Sequence, residues 1–315
     1  MTKLTRTFLL IGMLFLAACS VSQTPAPDQM TPGPVAVTPA LPTPRPPTPL
    51  PATSGISPAQ VRNADYQLGN FAQPLTVQLT DGKYQQGSPG GTDYISVSMT
   101  DFIAIGDLNG DGENEAVAAV AEDYGGSGTF VFLAVYQYMN DKAVFLTSTF
   151  LEDRPMINKL DIEDGRIFVD AVIHGPDDPM CCPTLESTRH YLLNGTNLIL
   201  TDYSTQTQAG ELRQVTIEAP IDGTQVSGII HLLGTATIAP SESNLVYRIY
   251  DLGGVELSAG PVTVEAGNPG APSKFEKAVD LGNILKNTTV RVAVEDRSAA
   301  DNLLLAMDSV FLQVR

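Results

Sequence analysis

INKLDIEDGRIFVDAVIH, residues 157–174, and STRHYLLNGTNLILT, residues 187–201, decide the fold. In each, two runs of alternating apolar residues flank a turn dipeptide, Asp164-Gly165 in the first and Asn194-Gly195 in the second. Successive side chains of a strand point to opposite faces, so this alternation buries one face and leaves the other to water. Asp-Gly and Asn-Gly accept the positive φ angles that a two-residue hairpin requires. Both stretches therefore predict antiparallel hairpins. Similar turn signals stand upstream at Asp81-Gly82, Gly90-Gly91, Gly125-Gly126 and Asn140-Asp141, between apolar runs at 75–79, 95–105, 115–121, 129–138 and 142–150. A helix is signalled only over 58–66. The chain reads as mainly all-β, with residues 62–203 an antiparallel β domain.

Residues 212–315 carry seven further short runs, at 214–219, 229–236, 245–251, 255–264, 274–279, 289–295 and 309–314. That size, strand count and turn spacing suit an immunoglobulin-like β-sandwich. The stretch has no cysteine pair and no tryptophan, unlike an antibody domain. The pattern Ile217-Glu218-Ala219-Pro220-Ile221-Asp222-Gly223, then Leu233-Gly234-Thr235-Ala236, Leu245 to Asp251 and Val294-Glu295-Asp296-Arg297-Ser298, resembles the immunoglobulin-like domain of bacterial spore-germination proteins. The resemblance implies that fold and a cell-envelope setting, and no enzymatic activity.

At the other end, Lys3 and Arg6 precede the unbroken apolar run FLLIGMLFL, residues 8–16, and the small residues Ala17-Ala18 lead to Cys19. Nine apolar residues cannot span about 30 Å of hydrocarbon, which takes roughly 20. Charge, apolar core and small-residue end make residues 1–18 a secretory signal. Leu16-Ala17-Ala18-Cys19 resembles the lipobox of bacterial lipoproteins. The resemblance implies cleavage before Cys19 and several acyl chains, palmitate among them, on that residue. More than one chain gives stable anchoring where a single chain is marginal. Residues 19–61 then hold a Thr/Pro-rich stretch almost free of large apolar residues. Such a composition predicts a disordered linker biased to extended polyproline II, some 30 residues reaching on the order of 90 Å.

The most distinctive local motif is Asp107-Leu108-Asn109-Gly110-Asp111-Gly112-Glu113-Asn114-Glu115. Oxygen-bearing side chains at alternate positions around glycines suit a hard cation, calcium first. The loop opens like an EF-hand, but Ala118 stands where the bidentate glutamate belongs and a strand-like run follows. Its spacing resembles instead the calcium loops of FG-GAP repeats. On that resemblance Asp107, Asn109, Asp111 and Glu115 give side-chain oxygens and Glu113 its carbonyl to one ion. An acidic β-turn without metal is the plainer alternative. A second cluster runs from His174 through Asp177 and Asp178 to the adjacent Cys181 and Cys182. Adjacent cysteines seldom both reach one metal. A vicinal disulfide that stiffens a Pro-rich loop is the leading reading, with a transition metal or thiol redox chemistry as alternatives. From the acidic loop to Tyr191, the order of these motifs also resembles an uncharacterised domain of bacterial envelope lipoproteins, which carries no known activity.

Charge narrows the partners. Lys and Arg number 18 against 35 Asp and Glu, a net −17 that becomes −19 if Lys3 and Arg6 leave with the signal. So acidic a surface repels phosphate backbones and argues against nucleic acid. None of His174, His190 and His231 sits in a motif with a nucleophile, and Ser127 lacks the Gly-x-Ser-x-Gly setting. The sequence thus predicts an extracytoplasmic protein, lipid-anchored to a bacterial membrane through Cys19. Its expected role is non-enzymatic, with an envelope protein or glycan as partner. A calcium-dependent glycan-binding or glycan-hydrolysing protein and a thiol or metal-handling protein centred on Cys181 and Cys182 are the alternatives.

Overall fold

The computed structural model describes residues 55–69, 75–240, 243–266, 268 and 270–315. The expected signal, Cys19 and most of the linker lie outside the described residues. Folded structure begins before residue 62. Ile56 and Val61 are buried, and Ser57 caps a one-turn helix, α1 (Pro58–Val61), through a capping box with Gln60. The helix stops well short of the expected residue 66, because Tyr66 belongs to the hairpin of β1 (Asp65–Gln67) and β2 (Thr76–Gln78).

Two meanders follow. The first is the five-stranded antiparallel sheet of β3 (Lys83–Gln86), β4 (Ile95–Gly106), β5 (Glu115–Asp123), β6 (Phe130–Met139) and β7 (Lys142–Asp153). The second comprises β8 (Met156–Glu163), β9 (Arg166–Ile173), β10 (Leu185–Asn194) and β11 (Asn197–Gln206). The dipeptides work as their chemistry predicts. Asp164 and Gly165 have φ of 50° and 72°, and Asn140-Asp141 and Asp81-Gly82 are likewise positive at both residues. Their twist matches that of the flanking strands. In the β10–β11 hairpin Asn194 pairs with Asn197, so the turn is Gly195-Thr196, one residue later than expected, with the positive φ on Gly195 alone.

β5, EAVAAVAED, does not alternate because both its faces are covered. Val117 and Ala119 join Leu133, Val135, Ile167, Val169 and Tyr191 in a core between the two meanders. Ala116, Ala118 and Val120 pack on the other side against Val61, Tyr66, Leu68 and Leu79 of the N-terminal segment. A buried carboxylate pins that segment. Glu122 is fully enclosed and accepts hydrogen bonds from the Tyr66 hydroxyl at 2.6 Å, the Gly69 N–H at 2.8 Å and the Tyr124 hydroxyl. Burial first, and then the Glu122 charge, push the Tyr66 hydroxyl far above its ordinary pKa, so it stays a donor.

The remaining strands are β12 (Leu212–Arg213), β13 (Val215–Ala219), β14 (Gln225–Val226), β15 (Ile229–Ala236), β16 (Asn244–Asp251), β17 (Glu256–Ala266), β18 (Ser273–Asp280), β19 (Thr288–Arg297) and β20 (Leu304–Val314). One layer runs β13-β15-β18-β17 and the other β17-β16-β19-β20, with β17 pairing first with β16 and then with β18. β14 lies parallel to β20. This is the strand order of an immunoglobulin-like sandwich. Leu232, Leu245, Ile249, Val262, Val292 and Leu312 fill its core. Gly234 lets β15 lie close against its neighbour β13 in one layer, since a Cβ there would stand 2.1 Å from the Thr216 carbonyl oxygen.

The sandwich and the second meander share one sheet. β20 pairs with β11 through Asp202 with Asp308 and Tyr203 with Met307. The Ser309 hydroxyl donates to the Thr201 carbonyl at 2.8 Å and the Thr205 hydroxyl to the Leu305 carbonyl at 2.7 Å. Ala293 and Met307 are buried in the core of the meanders.

Glu122→Ala withdraws the acceptor shared by two hydroxyls and an amide in a dry site, a loss of about 3 kcal/mol or more. Urea denaturation should show that loss, with Glu122→Gln, which keeps an oxygen acceptor, losing much less. Equal losses from the two variants would show that the carboxylate charge, rather than its place as an acceptor, matters.

Candidate functional site

The acidic loop connects β4 to β5, closed at its base by the pairing of Gly106 with Glu115. Its side chains fold inward because consecutive carboxylates and an amide accept the loop's own N–H groups. Asp107 accepts from Gly110 at 2.7 Å and Gly112 at 2.9 Å, Asn109 from Asp111 at 2.8 Å, and Asp111 from Glu113 at 2.8 Å. Glu115 is 3% exposed and accepts from the Leu108 N–H at 2.9 Å. The Asn109 amide nitrogen stands between Asp111 at 2.9 Å and Glu115 at 3.2 Å. The structure thus links Asn109, Asp111 and Glu115 by hydrogen bonds, while Asp107 is turned to the loop's own amides. Glu113 is exposed and contributes its N–H to the loop.

The electrostatics divide the acids. The Gly110 and Gly112 amides hold Asp107 below the usual carboxylate range. Glu115 is raised, by burial first and then by the charges of Asp111 and Asp107, against the pull of the Leu108 amide. Among the described residues no three His, Cys, Asp or Glu side chains are drawn close enough to hold a metal as they stand. The donor set itself is of hard oxygens, with the Asn109 NH2 between the Asp111 and Glu115 carboxylates.

The second cluster lies on the β9–β10 connection. Cys181 and Cys182 are bonded to each other, with Cα atoms 3.8 Å apart, and both are exposed. Asp178 ties the loop's ends together. It accepts from the Gly175 N–H and the Thr184 N–H, each at 2.7 Å, and from the Thr184 hydroxyl at 2.8 Å. These bonds, the Gly175 amide foremost, hold Asp178 below the usual carboxylate range. His174 Nε2 stands 3.2 Å from the Met180 carbonyl. The other histidines are near acids: His190 lies 3.4 Å from Asp202 and tilts over Phe168, and the exposed His231 lies 3.4 Å from Glu276. Gly125-Gly126-Ser127-Gly128 forms the β5–β6 turn, held where the Gly125 N–H donates to Asp123 at 2.7 Å.

Two features escape a sequence reading. A groove of about 600 Å³ opens between the β1–β2 hairpin and β7, with Gln60, Asn63, Asp65, Gln67 and Gln78 on its walls and Phe145 beneath. At the shared sheet, Asp308 faces Asp202 across the strand pair while its carboxylate accepts from the Ile217 N–H at 2.7 Å. Arg166 and Asp222, 3.8 Å apart, bring further charge to the same junction. Burial, seconded by the Asp202 charge, lifts the Asp308 carboxyl to about 6, with the Ile217 amide and Arg166 opposing.

Known proteins offer no guide. No known family's sequence profile, no curated protein and no solved structure matches the chain.

The Asp308 shift has a definite sign. A carboxyl raised from 3.8 to about 6 favours folding when protonated. That contribution is full below pH about 4 and is lost as the pH rises through about 6. After some discount for solvent it amounts to about 2 kcal/mol. Melting curves from pH 4 to 7 should therefore fall more steeply for the native chain than for Asp308→Asn, which keeps an acceptor for Ile217 and does not ionise. Identical slopes would refute the assignment.

Proposed function

We propose that the chain is an extracytoplasmic protein, held on a bacterial membrane by lipid on Cys19, whose all-β body binds or positions a partner and performs no catalysis. The observation that carries this reading is Leu16-Ala17-Ala18-Cys19 directly behind an apolar run too short to span a bilayer. The described residues fit beside it. No helix among them is long and apolar enough to cross a membrane. A Thr/Pro-rich tether would let the body stand clear of the surface. The partner is an envelope protein or a glycan, and the net charge of −17 speaks against nucleic acid.

One calcium ion in the 107–115 loop belongs to the same proposal, held by Asp107, Asn109, Asp111 and Glu115 with the Glu113 carbonyl. It would offset the burial and the Asp111 and Asp107 charges that together raise Glu115, and brace the β4–β5 connection. The glycan version of the reading is favoured by the groove beside β7, whose amide and carboxylate walls suit hydroxyl groups and whose Phe145 offers an apolar floor. The exposed Cys181–Cys182 bond is what the thiol reading rests on.

Two experiments test the proposal. Cys19→Ser should move the protein from the membrane fraction to the soluble fraction, and continued sedimentation with membranes would reject the anchor. Calcium at a hundred times its dissociation constant should add about 2.7 kcal/mol of stability. Melting with calcium and with chelator should show that gain, and Asp111→Ala should abolish it. Superimposable curves would reduce the loop to an acidic turn.

A further inference from the structure

Where the sandwich meets β11, a groove of about 360 Å³ opens over Leu198, Leu200, Leu252, Leu304 and Met307. Arg291 of β19 enters it. The guanidinium lies 4.3 Å from the centre of the Tyr250 ring, and Nη1 donates to the Leu200 carbonyl at 3.1 Å and approaches Met307 Sδ at 3.9 Å. Its Nε and Nη2 have no hydrogen-bond partner among the described residues.

The acids nearby are already engaged. Glu295, 2% exposed, is held by Arg248 Nε at 3.0 Å and Arg297 Nε at 2.6 Å, with the Tyr250 hydroxyl at 3.5 Å. Arg248 also bonds Glu256. Arg248 and Arg297 thus balance Glu256 and Glu295, and Arg291 makes no ion pair among the described residues of a chain whose net charge is −17. A guanidinium half withdrawn from water, without an acid of its own, is costly unless an anion completes it. Burial accordingly pulls Arg291 below its ordinary pKa.

We infer that this groove binds an aliphatic carboxylate, its head on the free edge of Arg291 and its hydrocarbon along the leucines and Met307. The guanidinium fork matches two carboxylate oxygens side by side. The volume is at the small end of ligand pockets, and beside its apolar wall Arg291 is the one lining charge without an ion pair, Glu295 and Arg297 being paired with each other. A bare inorganic anion would satisfy Arg291 and leave the apolar wall wet. An alcohol of the same length would cover the wall and leave the charge unpaired.

The test uses octanoate, acetate, phosphate and 1-octanol with the full chain carrying Cys19→Ala, so that no acyl group of its own competes. Binding is followed by amide and methyl NMR shifts. Octanoate should move the signals of Leu200, Leu304 and Met307 in a saturable way, with acetate, phosphate and octanol at least about tenfold weaker. Arg291→Met should weaken octanoate by a similar factor. Because Arg291 also braces β11, Asn197→Trp, at the exposed first residue of β11 lining the groove, serves as an independent block and should weaken octanoate with the fold intact. Octanoate binding untouched by Asn197→Trp, equal binding of octanol, tighter binding of phosphate, or no saturable shift would each overturn the inference.

Discussion

Between Thr201 and Thr205 on one strand and Leu305 and Ser309 on another, a short stretch of pairing holds two β-structures in one sheet. Only Asp202 with Asp308 and Tyr203 with Met307 stand in register there. Hydroxyl bonds from Ser309 and Thr205 extend the grip on either side. Met307 passes into the core of the meanders and Arg213 reaches across to the buried Asp296 at 2.7 Å. Backbone pairing, side-chain bonds and apolar burial thus coincide at one place. The features with chemical character cluster around it: the carboxyl pair, the Arg248–Glu295–Arg297 network and the groove under Arg291.

Elsewhere the body is organised by burial on two sides. β5 and β6 form a central layer with small and branched residues on both faces, so the N-terminal segment and the second meander can close over them. In that interior Glu122 is paired by Tyr66, Tyr124 and Gly69, while the buried Tyr136 hydroxyl has no hydrogen-bond partner among the described residues. The two loops singled out by their chemistry sit outside it, on strand connections, where exposed oxygens and sulfurs can meet a ligand without disturbing the core. Their shapes are set locally, by carboxylates that accept the amides of their own loops.

Much of the fold is legible in the sequence because it is written in local terms. Asp81-Gly82, Asn140-Asp141 and Asp164-Gly165 each adopt the double positive φ that their chemistry favours. The β10–β11 turn lands one residue late because Gly195 takes the first turn position, where a positive φ alone suffices. The short helix could not be bounded from sequence, since what ends it is Tyr66 reaching a carboxylate far along the chain. The acidic loop is half legible. Alternate oxygens foretell side chains folded into the loop, but not that the Asn109 NH2 would stand between Asp111 and Glu115 while Asp107 takes the loop's own amides. Glu122 and Arg291 are illegible for one reason: each resembles an ordinary charge on a strand until its non-local neighbours are known. The same holds for the Asp202–Asp308 pair.

From residue 55 onward the described chain is one compact unit, whose two β-structures should unfold together. Differential scanning calorimetry of that segment tests it most directly. A shared sheet with interleaved cores predicts one transition, with calorimetric and van't Hoff enthalpies equal. Two separable transitions, or a van't Hoff enthalpy near half the calorimetric value, would show instead that the β11–β20 pairing is a weak contact between independent domains.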